Sequence, residues 1–158
     1  MAIDTSEPHW PEGPYLVIDL DGTISDISKR AHLAQARMWD EFNEACDQDE
    51  MHPEIWQLLS HLKGKYQLMV LTGRPERYRE RTMRWMLVNF LEVDWLLMKP
   101  DNDYSPTAQW KLKMLEEFFE GKDNVIKEVA LVLEDRDSMV EAFRNYGLPC
   151  WQVRPGGY

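Results

Sequence analysis

The sequence predicts an α/β fold, with a mainly parallel five-stranded sheet flanked by helices. Three observations predict it. Short apolar runs alternate with segments of helical spacing along the whole chain. Polar clusters follow directly on the apolar runs, at the edge where open α/β sheets bind ligands. The length, 158 residues, suits one domain with a real core.

Residues 1–14 are acidic and Pro-bearing and read as a loose arm, not a signal peptide. Residues 15–158 read as a single domain. The first strand covers residues 15–20, which open with Tyr15-Leu16-Val17-Ile18. Residues 28–46 have helical spacing, and Asp47-Gln48-Asp49-Glu50 is an acidic break. Residues 53–62 form a helix with Pro53 in its first turn, where a missing N–H costs little. The second strand spans 66–71, a helix 75–91, and a short third strand 94–98. A loop follows over 99–106. The helix at 107–120 stops at Gly121, a common C-terminal residue. Residues 125–133 hold the fourth strand, 138–146 a helix stopped at Gly147, and 150–153 the fifth strand. Right-handed crossovers put the strand ends on one edge.

Net charge is −10, which argues against broad, sequence-independent nucleic-acid binding but leaves room for a local basic groove. Cys46 and Cys150 make neither a disulfide framework nor a Cys-x-x-Cys site, so a reducing cytoplasm is the expected compartment. No apolar stretch approaches the roughly 20 residues that span a bilayer, so no membrane is expected as a partner.

The chemistry concentrates at Asp19-Leu20-Asp21-Gly22-Thr23, where the first strand runs out. Side chains at i and i+2 of a strand point the same way, so Asp19 and Asp21 can face one small volume. Two such carboxylates repel unless a proton or cation intervenes, and Mg²⁺ suits oxygen ligands. One can then act as a nucleophile toward phosphorus, the other as general acid and base. The second strand ends in Thr72-Gly73-Arg74, where a hydroxyl and free N–H groups make a phosphate site or simply a helix cap. The fourth ends in Glu134-Asp135-Arg136-Asp137, a second acidic cluster suited to metal. Lys111 can neutralise a phosphoryl group, with Lys113 and Lys99 as rivals.

In this order, Asp-x-Asp-Gly-Thr, Thr-Gly-Arg, Lys and Glu-Asp, the chain resembles the haloacid dehalogenase (HAD) superfamily of phosphotransferases over residues 15–153. The resemblance implies a Rossmann-like fold and catalytic roles for Asp19 (nucleophile), Asp21 (general acid/base), Thr72 and Lys111. It implies Mg²⁺ held by Asp19, the Asp21 carbonyl and Asp135, with Glu134 standing where many relatives have Gly or Asp. Thr23, Gly73 and Arg74 are expected beside the phosphate. The gaps between motifs leave room for a minimal cap or none.

Residues 74–84 hold five arginines against two glutamates. On a helical wheel Met83, Met86, Leu87 and Phe90 form the core face, and Arg77, Arg81 and Arg84 gather opposite. That stripe either holds neighbouring phosphates of a polynucleotide or is a solvated face with Glu–Arg pairs. Of seven tryptophans, Trp39 and Trp110 are the surface candidates for base stacking, while Trp56, Trp85, Trp95 and Trp151 read as structural.

Thr72-Gly-Arg-Pro-Glu-Arg-Tyr-Arg, then Glu134-Asp-Arg and Cys150-Trp-Gln-Val, resemble the phosphatase half of phage polynucleotide kinase-phosphatases. The resemblance implies removal of 3′-phosphates from nucleic acid ends. The sequence has no Gly-x-x-x-x-Gly-Lys-[Ser/Thr] loop, so a kinase or ligase is expected as a separate partner. Alternatives are a small-molecule phosphatase or nucleotidase and, from another class, a phosphoacceptor signalling module.

Overall fold

The computed structural model describes residues 14–156. The expected arm therefore lies, apart from Pro14, outside the described residues.

Five parallel strands build the main sheet: β1 (Tyr15–Ile18), β4 (Gln67–Pro75), β5 (Trp95–Lys99), β6 (Val129–Arg136) and β7 (Cys150–Gly156), in the order β5-β4-β1-β6-β7. The central position of β1 explains its unbroken apolar run, because both of its faces are buried. Alternate residues feed two cores. Val17, Met69, Leu71 and Val132 pack with α5 (Thr107–Phe119), α6 (Lys122–Glu128) and α7 (Asp137–Tyr146) through Trp110, Leu115, Val125 and Phe143. Leu16, Ile18, Leu68 and Val70 pack with α3 (Pro53–Leu62) and α4 (Arg79–Val88) through Ile55, Leu59, Trp85 and Met86. The expected fold class is the observed one.

The stretch expected as one helix over 28–46 is not one helix. It divides into α1 (Ala31–Gln35), α2 (Trp39–Glu44) and a 3₁₀ turn, Cys46–Gln48. Arg37 breaks it with φ 59°, a left-handed conformation that no continuing helix tolerates. A two-stranded antiparallel hairpin, β2 (Ser25–Asp26) with β3 (Glu50–Met51), closes the base of this insert. The insert has its own small core of Ile27, Ala34 and Phe42. It is a minimal cap.

The helix expected from residue 75 starts at Arg79, because β4 runs on to Pro75 and a 3₁₀ turn, Glu76–Tyr78, intervenes. Of its predicted core face only Met86 is buried. Met83, Leu87 and Phe90 are exposed, while Thr82, Trp85 and Met86 are buried. Tertiary anchors set the rotation: Trp85 Nε1 donates to the Asp49 carbonyl at 2.7 Å, and Arg74 donates to the Thr82 hydroxyl at 2.9 Å. Helix α6 precedes the fourth strand where only strand was expected. Trp110 is buried in the core and Trp151 is exposed, the reverse of their sequence assignment.

Candidate active site

Asp19 leaves β1 at its carboxyl end, where its N–H still donates to the Leu133 carbonyl at 2.9 Å. Three residues later Gly22 turns the chain with φ 90°, a conformation open to glycine without steric cost. Asp19 and Asp21 line one cavity of about 540 Å³ with Thr72, Gly73, Arg74 and Lys111. They do not share a cation, however; each faces its own.

Asp19 faces Lys111. From α5, this lysine is buried and donates to Asp19 Oδ1 and, at 2.9 Å, to Glu134 Oε2. The rivals are occupied elsewhere. Exposed Lys113 pairs with Glu117 at 3.5 Å, and Lys99 donates to the Ser105 carbonyl. Burial, then the charge of Glu134, pushes the Asp19 carboxyl up to about 7 against the opposing pull of Lys111. Burial would push Lys111 down, but Asp19 and Glu134 outweigh it and raise it.

Asp21 faces two arginines. Arg74 donates to its Oδ1 at 2.6 Å and its Oδ2 at 3.3 Å, and Arg30 donates to the same Oδ1. Burial alone would raise the Asp21 carboxyl; the two guanidinium groups prevail and hold it well below the usual range. Arg30 and Arg74 are each only 2% exposed. Arg30 also donates to Asp49 at 2.9 and 2.5 Å and to the Phe42 carbonyl at 2.9 Å, with its guanidinium 3.9 Å above the Phe42 ring.

Sequence reading missed Arg30 and Asp49. Neither lies in a motif, and Arg30 was placed inside a helix that does not exist as such. One signal was available: an arginine near the base of an insert, with an aspartate near the other end.

The remaining site residues distribute as follows. Thr72 is buried, and its Oγ1 accepts the Arg74 N–H at 3.2 Å, which orients the hydroxyl at the cavity. Gly73 lies so close to α5 that a Cβ there would come within 2.8 Å of Thr107 Cγ2. Thr23 is fully buried beside the carboxylates, its hydroxyl 3.3 Å from Asp135 Oδ1 and 3.5 Å from Asp19 Oδ2. Arg77 reaches the cavity rim but is bonded to Asp40 at 2.6 Å and paired with Asp101 at 3.6 Å. Arg81 is turned to the insert, paired with Asp47 at 3.5 Å and bonded to the Glu44 carbonyl at 2.8 Å.

Oxygen atoms of Asp19, Glu134 and Asp135 lie within 4.8 Å of one another, all three residues buried. An all-oxygen donor set fits a hard divalent cation such as Mg²⁺. The Asp21 side chain is not among these donors, which leaves only its backbone carbonyl for the expected ligand role. Glu134 Oε1 is bound by the N–H groups of Asp135 and Arg136 at 3.2 and 3.3 Å, fixing the cluster on the end of β6.

The family described as the polynucleotide kinase PNKP phosphatase domain matches residues 14–158. The chain belongs to this family. The chain is similar to a protein described as a putative bifunctional polynucleotide kinase/RNA ligase of Autographa californica nuclear polyhedrosis virus. The two are 25% identical over 156 residues, covering 94% of this chain and 21% of the relative. A chain of the Pnkp1/Rnl/Hen1 RNA repair complex is 28% identical with a TM-score of 0.76, covering 99% of this chain and 48% of that one. A HAD family enzyme from Bacteroides thetaiotaomicron, in complex with magnesium and inorganic phosphate, shares the fold at 13% identity and a TM-score of 0.55. That match covers 92% of this chain and 96% of the other. The chain thus spans about a fifth of its viral relative and about half of the repair-complex chain. It is a HAD-type hydrolase domain. Among the described residues no helix is long and apolar enough to cross a membrane.

Proposed function

We propose that the chain is a Mg²⁺-dependent phosphomonoesterase that works through an aspartyl-phosphate and removes 3′-phosphates from polynucleotide ends. The observation that carries this reading is Lys111 bridging Asp19 and Glu134 within the buried carboxylate cluster. Bound there by Asp19, Asp135 and Glu134, Mg²⁺ would offset the negative charge that opposes a carboxylate approaching a phosphate.

Asp19 attacks phosphorus in line, and the P–O bond to the leaving oxygen breaks while Asp21 donates it a proton. Asp21 then takes a proton from water, which cleaves the acyl phosphate and frees Asp19. The second step uses the ionised Asp21 that Arg30 and Arg74 maintain. The first needs it protonated. An arriving phosphoryl group offers Arg74, which lines the cavity, another acceptor, and as it turns, Asp21 loses one of the two charges that keep it ionised. Lys111 holds Asp19 in place and balances the acyl phosphate.

The same reading makes a separate kinase or ligase a partner, since the viral relative's name combines those activities and the neighbouring structure holds Pnkp1 with Rnl and Hen1. Its compartment is the cytoplasm, in keeping with the free, buried thiols of Cys46 and Cys150. A second reading, a nucleotidase, is favoured by the ion pairs that occupy Arg77, Arg79, Arg81 and Arg84, because a substrate of one nucleotide needs no backbone tract. The test is phosphate release with Mg²⁺ from matched oligonucleotides phosphorylated at the 3′ or 5′ end, beside 3′- and 5′-mononucleotides. Selective release from the 3′ oligonucleotide, abolished in Asp19→Asn, is the expected outcome. Release mainly from mononucleotides would replace it with the nucleotidase reading.

A further inference from the structure

Two aromatic side chains stand on the rim of the catalytic cavity and take no part in the chemistry above. Trp39 opens α2 on the cap insert and is 47% exposed. Tyr104 lies in the loop between β5 and α5 and is 92% exposed. Both line this cavity, and their flat rings offer an apolar face to whatever enters it.

Neither is loosely presented. The Trp39 ring stands edge-on to Phe42, with centroids 6.0 Å apart, and Phe42 is in turn covered by the Arg30 guanidinium. Asn43 donates to the Trp39 carbonyl at 2.8 Å. On the other side Asp103 accepts the Ser105 N–H at 2.8 Å, and Lys99 bonds the Ser105 carbonyl, bracing the loop on both sides of Tyr104. Arg77 joins the two lips, bonded to Asp40 beside Trp39 and paired with Asp101 near Tyr104.

The rim is also acidic. Asp101 and Asp103 line it, Arg77 there is already bonded to Asp40 and paired with Asp101, and Lys99 is bonded to the Ser105 carbonyl. A second backbone phosphate arriving there meets carboxylates. A neutral, flat group does not.

We propose that Trp39 and Tyr104 are specificity-determining residues that grip the nucleobase of the terminal nucleotide, so that the enzyme reads one nucleoside by stacking and not the phosphate backbone behind it. This rests on the reading of the substrate as a phosphorylated nucleic acid end. The cavity's 540 Å³ accommodates one nucleotide with its phosphate at Asp19. Stacking tolerates every base, because each has a π face. The preference is therefore for a base over none, with little choice among bases.

The experiment compares kcat/KM with Mg²⁺ on three 3′-phosphorylated oligonucleotides: one ending in a normal nucleoside, one ending in an abasic sugar, and a dinucleotide. The wild type is expected to prefer the normal end over the abasic one by roughly tenfold or more. It should also act on the dinucleotide nearly as well as on the long strand, at low and at high salt. Trp39→Ala and Tyr104→Ala should each raise KM on the normal end and bring the preference toward parity. Phe90→Ala, an exposed aromatic far from the carboxylates, should leave the preference as it is. A preference that survives both rim substitutions, or a wild type indifferent to the missing base, overturns the proposal. So does a steep loss of turnover with salt on the long strand alone. Should the wild type act only on mononucleotides, the end-processing reading fails by itself. Stacking is then decided by the same variants on a nucleotide against ribose phosphate.

Discussion

Two sets of arginines divide this molecule. Arg30 and Arg74 are buried and converge on Asp21. Arg77, Arg79, Arg81 and Arg84 lie on the surface, each paired with a carboxylate. The residue type is the same and so is the partner type. Burial alone separates them. Exposed pairs are worth about 0–1 kcal/mol, because water screens them and two long side chains must be held still. Breaking a buried pair costs about 3–5 kcal/mol, because it strands a charge. A crowded stretch of arginines thus counts for less than one arginine in the right place.

The comparison breaks most visibly on the buried side. Arg30→Ala and Arg74→Ala are each expected to lower turnover by about a hundredfold or more, with a stability loss of about 3–5 kcal/mol in chemical denaturation. Arg74→Lys should restore little, because an ammonium cannot reproduce the paired contacts to both Asp21 oxygens and to Thr82. If either alanine variant kept near-normal turnover, the buried set would be structural only.

A smaller effect sharpens the neighbouring half of the cavity. Asp19 is held up to about 7 in the metal-free protein, by burial and then Glu134, against an ordinary value of 3.8. The folded state therefore binds this proton more tightly than the unfolded chain. The stability it contributes is complete below 3.8 and is lost as pH rises through about 7. In EDTA the melting temperature should fall across that window. The fall should be absent in Asp19→Asn and reduced by excess Mg²⁺. A melting temperature that instead climbs with pH in EDTA, and does so through Asp19, would contradict the geometry of the cluster.

The smallest effect belongs to the surface. Arg77→Ala combined with Arg81→Ala should change turnover of an oligonucleotide and of a small aryl phosphate by no more than about threefold, with stability shifted by about 1 kcal/mol or less. A selective loss on the oligonucleotide would put the surface arginines back on the substrate's path.

The architecture was legible because β1 and β4 are apolar runs that end in chemistry, and a buried parallel strand cannot be written otherwise. Asp19 and Thr72 line one cavity for the same reason: the ends of neighbouring parallel strands converge on one place. The lysine among three rivals was not legible, since only the register of α5 against the sheet picks Lys111. Helix α4 defeated the wheel. Its apolar spacing at Met83, Leu87 and Phe90 is real, but the anchors through Thr82 and Trp85 turn that face outward. Arg30 was invisible because its partners, Asp21, Phe42 and Asp49, are scattered along the chain and meet only in three dimensions.

That guanidinium has a consequence for anyone who would re-engineer the cap. It stands near one end of the insert, bonds an aspartate near the other, holds a carbonyl in the middle, and also reaches Asp21 at the end of β1. The insert is therefore not an interchangeable module clipped onto a finished enzyme. A transplanted cap would have to carry its own arginine at the same place, or leave Asp21 with one guanidinium where it now has two.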